Sequence, residues 1–333
     1  MKKTLMDRWL SRLRGTLTPS PAASAAEGTI SVVSPAAAHP EVLELDLGAI
    51  LARDFAAEYE IASRTTAAVL SKLAGSDLSP LARRSPSLAG YDWASYLRCS
   101  LCRVVRVQRA LTAHLGAGGR VLDYGSYFGN FGLAIQAMGC RVDAIDSYRD
   151  YGAALTPWAD LQREAGIVVH DFANAGYDLR MLRQHPYDAI VCAGVIEHIP
   201  HSPKLLLDTL TAALKPGGIL ILDTPNLGYL YKRLALLEGQ SIFAPIAEQY
   251  YTEVPFEGHH REYTVPEVEW MLTAAGHEIL SIETFNYSVF GQSHLTGEHL
   301  EYYRAMVADS SLRELMVSVS RRSNAVTIFT TGC

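Results

Sequence analysis

The sequence predicts an α/β fold: a doubly wound, mostly parallel sheet with helices on both faces. Three observations predict it. From Arg120 onward, five short β-rich runs, "RVLDYG", "RVDAID", "IVVHD", "YDAIVCAG" and "GILILDTPN", each end in glycine or a polar residue. Helix-patterned stretches separate several of them, and parallel neighbours need such crossovers. The stretch 120–132, "RVLDYGSYFGNFG", passes from strand through glycines into a helix. That is the form of a nucleotide-binding turn, and ligands of such sheets sit at the carboxyl ends of the strands.

Before the sheet, the chain divides in two. Residues 1–40 open with "MKKTLMDRWLSRLRG", five basic residues and one acid, and continue into an Ala/Ser/Pro stretch with few large apolar side chains. The stretch is read as a linker. The basic start is read as a solvated terminus, with peripheral contact to a membrane surface as the alternative. Residues 41–118 read as a helical extension. Leu47, Leu51, Phe55 and Tyr59 recur at four-residue steps, and Trp93, Leu97, Leu101, Val104, Val105, Leu111 and Leu115 share one side of a second helical segment. Its four arginines, Arg98, Arg103, Arg106 and Arg109, read as a solvated helix face, with one of them reaching an anionic group of a ligand as the alternative, and "CSLC" as half-buried cysteines at helical spacing.

Within residues 119–333, Pro203 opens a helix that "KPGG" closes. An aromatic-rich insertion follows at about 227–262, where Tyr229, Tyr231, Phe243, Tyr250, Tyr251 and Phe256 either line an apolar acceptor pocket or form a packed subdomain. "TVPEVEWMLTAAGH" then reads as a helix with a Thr264/Glu267 capping box and Gly276 as its stop. "EILSIETFNYSVF" and "NAVTIFTT" are predicted to complete a seven-stranded sheet.

Composition excludes several classes. Apolar residues make up 49% and charged residues 19%, enough for a large core. A net charge of −6 argues against nucleic-acid binding, which needs basic surface to displace phosphate counterions. No apolar run reaches the ~18 residues of a membrane span. The five cysteines, Cys99, Cys102, Cys140, Cys192 and Cys333, are odd in number and scattered, which suits reduced thiols in the cytoplasm.

The candidate site lies at the strand ends. Gly125 and Gly129 allow a tight turn and close approach of a ligand, and Asp123 ends the first strand. The spacing Gly125, Gly129, Gly132 does not fit the dinucleotide pattern, and no Gly-Lys-Ser/Thr of a P-loop occurs. Asp146 ends the second strand, where an acid can accept from both hydroxyls of a ribose. Asp171 ends the third, with Phe172 beside it to pack on a base.

These residues resemble the class I S-adenosylmethionine-dependent methyltransferases, a Rossmann-like family. "VLDYGSYFGNFG" resembles their first motif, "AIDS" the second and "HDF" the third; "EHI…KPGG…PN" resembles the region that follows. "GHHREYTVPEVEWMLTAAGHEI" is similar to a segment of the small-molecule O-methyltransferase branch that includes the ubiquinone-type enzymes. The resemblance covers residues 120–282. It implies S-adenosylmethionine as cofactor, with Gly125 and Gly129 at its methionine end, Asp146 at its ribose, Asp171 and Phe172 at its adenine, and Ala193 and Gly194 as the floor. Tyr127 departs from the pattern by standing where the family has its middle glycine.

Methyl transfer to oxygen needs a base, and His198 in "VIEHIP" is the first candidate, with His259 or His260 second; His260 is taken with His198 as the catalytic pair. No residue is assigned to a metal, because Gly194 replaces the first Glu of the Glu-x-x-Glu-His pattern of metal-assisted branches; Glu197, His198 and a later histidine remain the alternative ligands. The expected acceptor is a small molecule or glycan. The rival readings are a dehydrogenase, disfavoured by the glycine spacing, and a non-catalytic binding protein, supported by Tyr127 alone.

Overall fold

The computed structural model describes residues 41–323 except 84, 117, 173–181, 183–185 and 253–255. The basic terminus, the linker, Cys333 and the "NAVTIFTT" segment lie outside the described residues.

Five parallel strands form where the β-rich runs predict them: β2 (Arg120–Tyr124), β3 (Arg141–Asp146), β4 (Val168–Asp171), β5 (Tyr187–Ala193) and β6 (Leu214–Pro225). Two more, β7 (His277–Phe285) and β9 (Leu315–Arg322), complete a seven-stranded sheet in the order β4-β3-β2-β5-β6-β9-β7. The pairs from β4 to β6 are parallel, and β9 runs antiparallel to both its neighbours. The predicted seven-stranded, mostly parallel sheet is therefore present. Its reversed strand is "LMVSVSRR", a segment not anticipated as a strand. Of "EILSIETFNYSVF", the last residues leave the sheet and turn at Ser288–Gly291.

Alternating side chains divide the sheet into two buried faces. Val121, Ala189, Val191, Ile219 and Ile221 face α1 (Leu47–Asp54), α2 (Ala56–Ser71), α3 (Trp93–Cys99), α4 (Leu101–His114), α5 (Asn130–Ala137) and α6 (Thr156–Glu164) in one core. Leu122, Ile145, Ile190, Cys192, Leu220 and Leu222 face α7 (Lys204–Ala213) and α10 (Val265–Ala274) in the other. The α10 helix starts on the predicted box, with the Glu267 carboxylate accepting from the Thr264 N–H at 2.8 Å. The insertion supplies α8 (Leu230–Leu237) and α9 (Ile246–Tyr251), and Leu230 and Leu234 pack on Met306 of α11 (Gly297–Ala308). No helix among the described residues is long and apolar enough to cross a membrane.

The extension is less regular than one amphipathic pattern suggests. It begins as a strand, β1 (Val42–Glu44), paired antiparallel with β8 (His294–Thr296), and its helices break at Phe55 and Ser100. Its side chains join the main core, and the Trp158 indole of α6 donates to the Val69 carbonyl of α2 at 3.0 Å.

The arginine face corrects the expectation of solvation in part: Arg98 and Arg109 are exposed, whereas Arg106 and Arg103 are not. Arg109 and Arg106 lie over the Phe55 ring and pair with Glu58 and Glu283. Arg103 is buried, with Nε and Nη2 at 3.0 and 2.5 Å from Oδ1 of Asp223 on β6. Burial works against its charge, and the Asp223 carboxylate outweighs burial, holding the guanidinium above its ordinary pKa. Cys99 and Cys102 are fully buried free thiols.

Removing one member of a buried pair strands the other charge, so Arg103→Met should lower unfolding free energy by about 3–5 kcal/mol, read from urea denaturation. Adding Asp223→Leu should restore most of the loss. A double variant as unstable as the single would show that packing, not charge, holds this junction.

Candidate active site

At the carboxyl end of β2 the chain turns sharply. Gly125 and Gly129 adopt φ of 79° and 74°, and Gly129 is the N-cap residue of α5. The Gly125 N–H donates across to Ile145 O of β3 at 2.9 Å, and the Gly129 N–H closes the turn on Ser126 O at 2.6 Å. A Cβ at Gly125 would meet Val195 at 2.3 Å, and one at Gly129 would meet Gln162 at 2.4 Å, so both positions also demand glycine for close packing. Asp123 is buried and accepts the Gly132 N–H at 2.9 Å, tying the strand end to the first turn of α5.

Tyr127 is the one non-glycine described residue with positive φ, 47°. The left-handed conformation costs a side-chain-bearing residue roughly 1–2 kcal/mol. Two contacts hold it. Its N–H donates to Asp146 Oδ2 at 2.7 Å, and its ring packs against Phe128, Tyr151 and Trp93 at centroid distances of 4.5, 5.6 and 6.0 Å. Burial, the neighbouring Tyr151 and Tyr96 hydroxyls and the Asp146 carboxylate raise its phenol above the ordinary pKa.

Asp146 and Asp171 are register partners at the ends of β3 and β4, so their side chains lie on the same side of the sheet. Asp146 is buried and takes the Tyr127 and Ser147 N–H groups, one on each oxygen. Burial pushes its carboxyl up to about 6 and that of Asp123 up to about 7. Phe172 donates its N–H to Asp146 O at 2.9 Å and sets its ring edge-on to Tyr124.

Ala193 pairs with Asp223 across β5 and β6, and Gly194 continues with φ of 68°. A Cβ on Gly194 would lie 2.9 Å from Arg103 Nη2. Ala193 and Gly194 are thus backed by the Arg103–Asp223 pair, in which Asp223 Oδ2 is buried without a partner. Sequence reading did not single out Asp223. Its only signal is an acid closing the otherwise apolar run "GILILD".

The turn Ile196–His198 follows β5. Glu197 is 2% exposed, accepts the Thr224 hydroxyl at 3.1 Å, and burial raises its carboxyl pKa. Its carbonyl accepts the N–H groups of His260 and Arg261 at 2.8 and 3.3 Å. In return, His198 Nδ1 lies 2.6 Å from Glu257 O, and a carbonyl partner makes Nδ1 the protonated nitrogen. His198 Nε2 therefore keeps its lone pair in the neutral ring. The ring beside it is that of His259, edge-on to His198 at 4.7 Å, and burial pushes its pKa down to about 3. His260 instead directs Nε2 to Phe256 O at 3.0 Å, within its own loop. Glu197, His198 and His259 each offer one ligand atom within 4.8 Å of the others.

The insertion aromatics divide. Tyr229 and Tyr231 pack beside α11, and Phe256 packs on His260. Phe243, Tyr250 and Tyr251 are exposed, the last by 80%.

A family model described as a methyltransferase domain matches residues 93–282. The ubiquinone biosynthesis O-methyltransferase of Xylella fastidiosa (strain M23) is 37% identical over 111 residues, which are 33% of this chain and 43% of that protein. The protein of the same name from Xanthomonas axonopodis pv. citri is 33% identical over 111 residues, 33% of this chain and 44% of the relative. The chain thus spans less than half the length of these curated relatives. Among solved structures, an S-adenosylmethionine dependent methyltransferase from Mesorhizobium loti is 18% identical, with a TM-score of 0.45, covering 67% of this chain and 98% of that one.

Two measurements test this geometry. Tyr127→Gly relieves the left-handed strain but forfeits ring packing worth about 3 kcal/mol, so a net loss of about 1–2 kcal/mol is expected in urea denaturation. A gain in stability would show that the aromatic packing contributes nothing. Asp123 and Asp146 have folded pKa values above the ordinary 3.8. Their stabilising contribution is therefore present below about pH 4 and lost as pH rises through about 6–7. Asp123→Asn should flatten the fall in unfolding free energy between pH 4.5 and 7.5 by on the order of 2 kcal/mol. An unchanged slope would place its titration elsewhere.

Proposed function

The chain belongs to the methyltransferase-domain family, and on that premise we propose that it moves a methyl group from S-adenosylmethionine to a hydroxyl of a small-molecule or glycan acceptor. The observation that carries this reading is the position of His198. Its Nε2 lone pair is set free by the Glu257 carbonyl, directly after the strand whose end, Ala193–Gly194, forms the floor of the cofactor-type turn.

The residues present suit that cofactor. Asp146 and Asp171 stand opposite each other as acceptors for ribose hydroxyls and an adenine amino group. At the floor, the buried Arg103 guanidinium and the unpartnered Asp223 Oδ2 offer opposite charges beside Gly194, the chemistry that a zwitterionic amino-acid end requires. Bound there, S-adenosylmethionine supplies a methyl group activated by its sulfonium. The chain's own part is to hold the acceptor in line with that methyl, keep water away, and take the hydroxyl proton on His198 Nε2. Buried, unpaired thiols at Cys99, Cys102, Cys140 and Cys192 suit a cytoplasmic setting.

A second reading rests on the converging ligand atoms of Glu197, His198 and His259. A divalent ion there would bind the acceptor oxygen and make its hydroxyl more acidic. In this reading His198 is a ligand and not the base.

Calorimetry should show binding of S-adenosylmethionine and S-adenosylhomocysteine and none of NAD; no heat with either sulfur ligand would sink the proposal. Asp146→Ala should weaken S-adenosylhomocysteine at least roughly tenfold, as loss of charge-assisted hydrogen bonds requires. With catechol as the probe acceptor, His198→Ala should cut turnover about 100-fold or more and leave cofactor affinity unchanged. Turnover abolished by a chelator and restored by a divalent ion would favour the metal reading.

A further inference from the structure

Two charged residues beside the histidine pair have no part in the function proposed above. Glu262 is 9% exposed and ends the loop that carries His259. Its Oε1 lies 2.9 Å from His259 Nδ1. Its carboxylate also forms an ion pair with Lys232, which projects from α8 in the insertion after β6. Lys232 is itself largely buried, and burial pushes its pKa down to about 8 against the pull of Glu314 and Glu197.

This chain of contacts has a direction. An imidazole without fixed partners exchanges its proton between the two nitrogens, and a carboxylate at one nitrogen ends the exchange. A buried carboxylate is in turn costly unless a cation is paired with it. Lys232 supplies that cation from an element outside the sheet. We infer that Lys232 and Glu262 are positioning residues, through which α8 holds His259 in its Nδ1–H form. His259 Nε2 then carries a lone pair beside Glu197 and His198, available to the acceptor.

The arrangement pairs two imidazoles in the same protonation pattern by different means. His198 is fixed by a backbone carbonyl, so its state follows from the path of the chain alone. His259 is fixed by a side chain that is itself paired with a lysine of α8. Any movement of α8 that withdraws Lys232 therefore acts on one of the two rings selectively. The consequence for methyl transfer rests on the reading in the preceding subsection, whereas the tautomer does not.

The test uses the full chain labelled with 15N-histidine, without cofactor or acceptor. Long-range proton–nitrogen spectra should show His259 as the Nδ1–H tautomer, with His259→Gln providing the assignment. Lys232→Met, which removes the cation paired with Glu262, should convert His259 to a mixture of tautomers, and Lys232→Arg should restore the single form. Glu262→Gln should give the same mixture. Retention of the Nδ1–H form in both Lys232→Met and Glu262→Gln would overturn the inference, as would a His198 signal that changes as much as that of His259. Calorimetry of S-adenosylhomocysteine on the wild-type chain separates the two proposals. Absent heat there sinks the transferase reading and leaves the tautomer result standing.

Discussion

The buried Arg103–Asp223 pair is the constraint on which the site depends. It joins a helix of the extension to the sixth strand at the point where Gly194 must pass, and Gly194 has room only for a hydrogen where a side chain would begin. Two desolvated charges are a poor source of stability, since apolar residues of the same volume would do as well or better. Their presence fits a site that needs a fixed cation and a fixed anion at the strand ends. The pair also explains why the extension shares the core of the sheet. A guanidinium anchored from outside the sheet is held in place only if its own helix is packed as firmly as the strands.

Tyr127 shows the same logic at lower cost. A residue with a side chain in the left-handed region persists only where its surroundings over-determine it. Here the backbone N–H is held by Asp146 and the ring by Trp93 of the extension and Tyr151 of the following turn. The aromatic group replaces the freedom of a glycine with contacts to two other segments. The ring neither replaces the turn nor abolishes it; it fastens the turn to the extension.

Much of this was legible in the sequence, for physical reasons that differ by element. The five parallel strands stand out because each is a short apolar run ending where the chain must leave a buried sheet. The acids at 123, 146 and 171 could be placed because strand ends are fixed by those runs. The reversed strand "LMVSVSRR" escaped notice because its serines look like surface residues, yet Ser318 and Ser320 are buried and donate to carbonyls of β6. The arginines of α4 misled for a related reason. Charge count along a helix says nothing of partners that lie more than a hundred residues away, as Asp223 does from Arg103. Which of His259 and His260 lies beside His198 was equally beyond reach, since adjacent residues in an irregular loop have no periodicity to assign their directions.

Backbone hydrogen bonds decide which of the two rings lies beside His198. The turn at Glu197–His198 and the loop at Glu257–Arg261 clasp each other reciprocally: Glu197 O takes two N–H groups of the loop, and Glu257 O takes the His198 ring. Once the clasp forms, the His260 N–H is turned toward Glu197 and its side chain folds back onto Phe256. The next residue back, His259, is left to meet His198, and Glu262 three residues on completes its orientation. The double histidine in the sequence therefore divides its labour: His260 secures the loop, and His259 is presented by it. A loop built in this way places an imidazole by main-chain geometry first and by charge second. The charged partner it recruits, Lys232, comes from α8, at the other end of the same insertion.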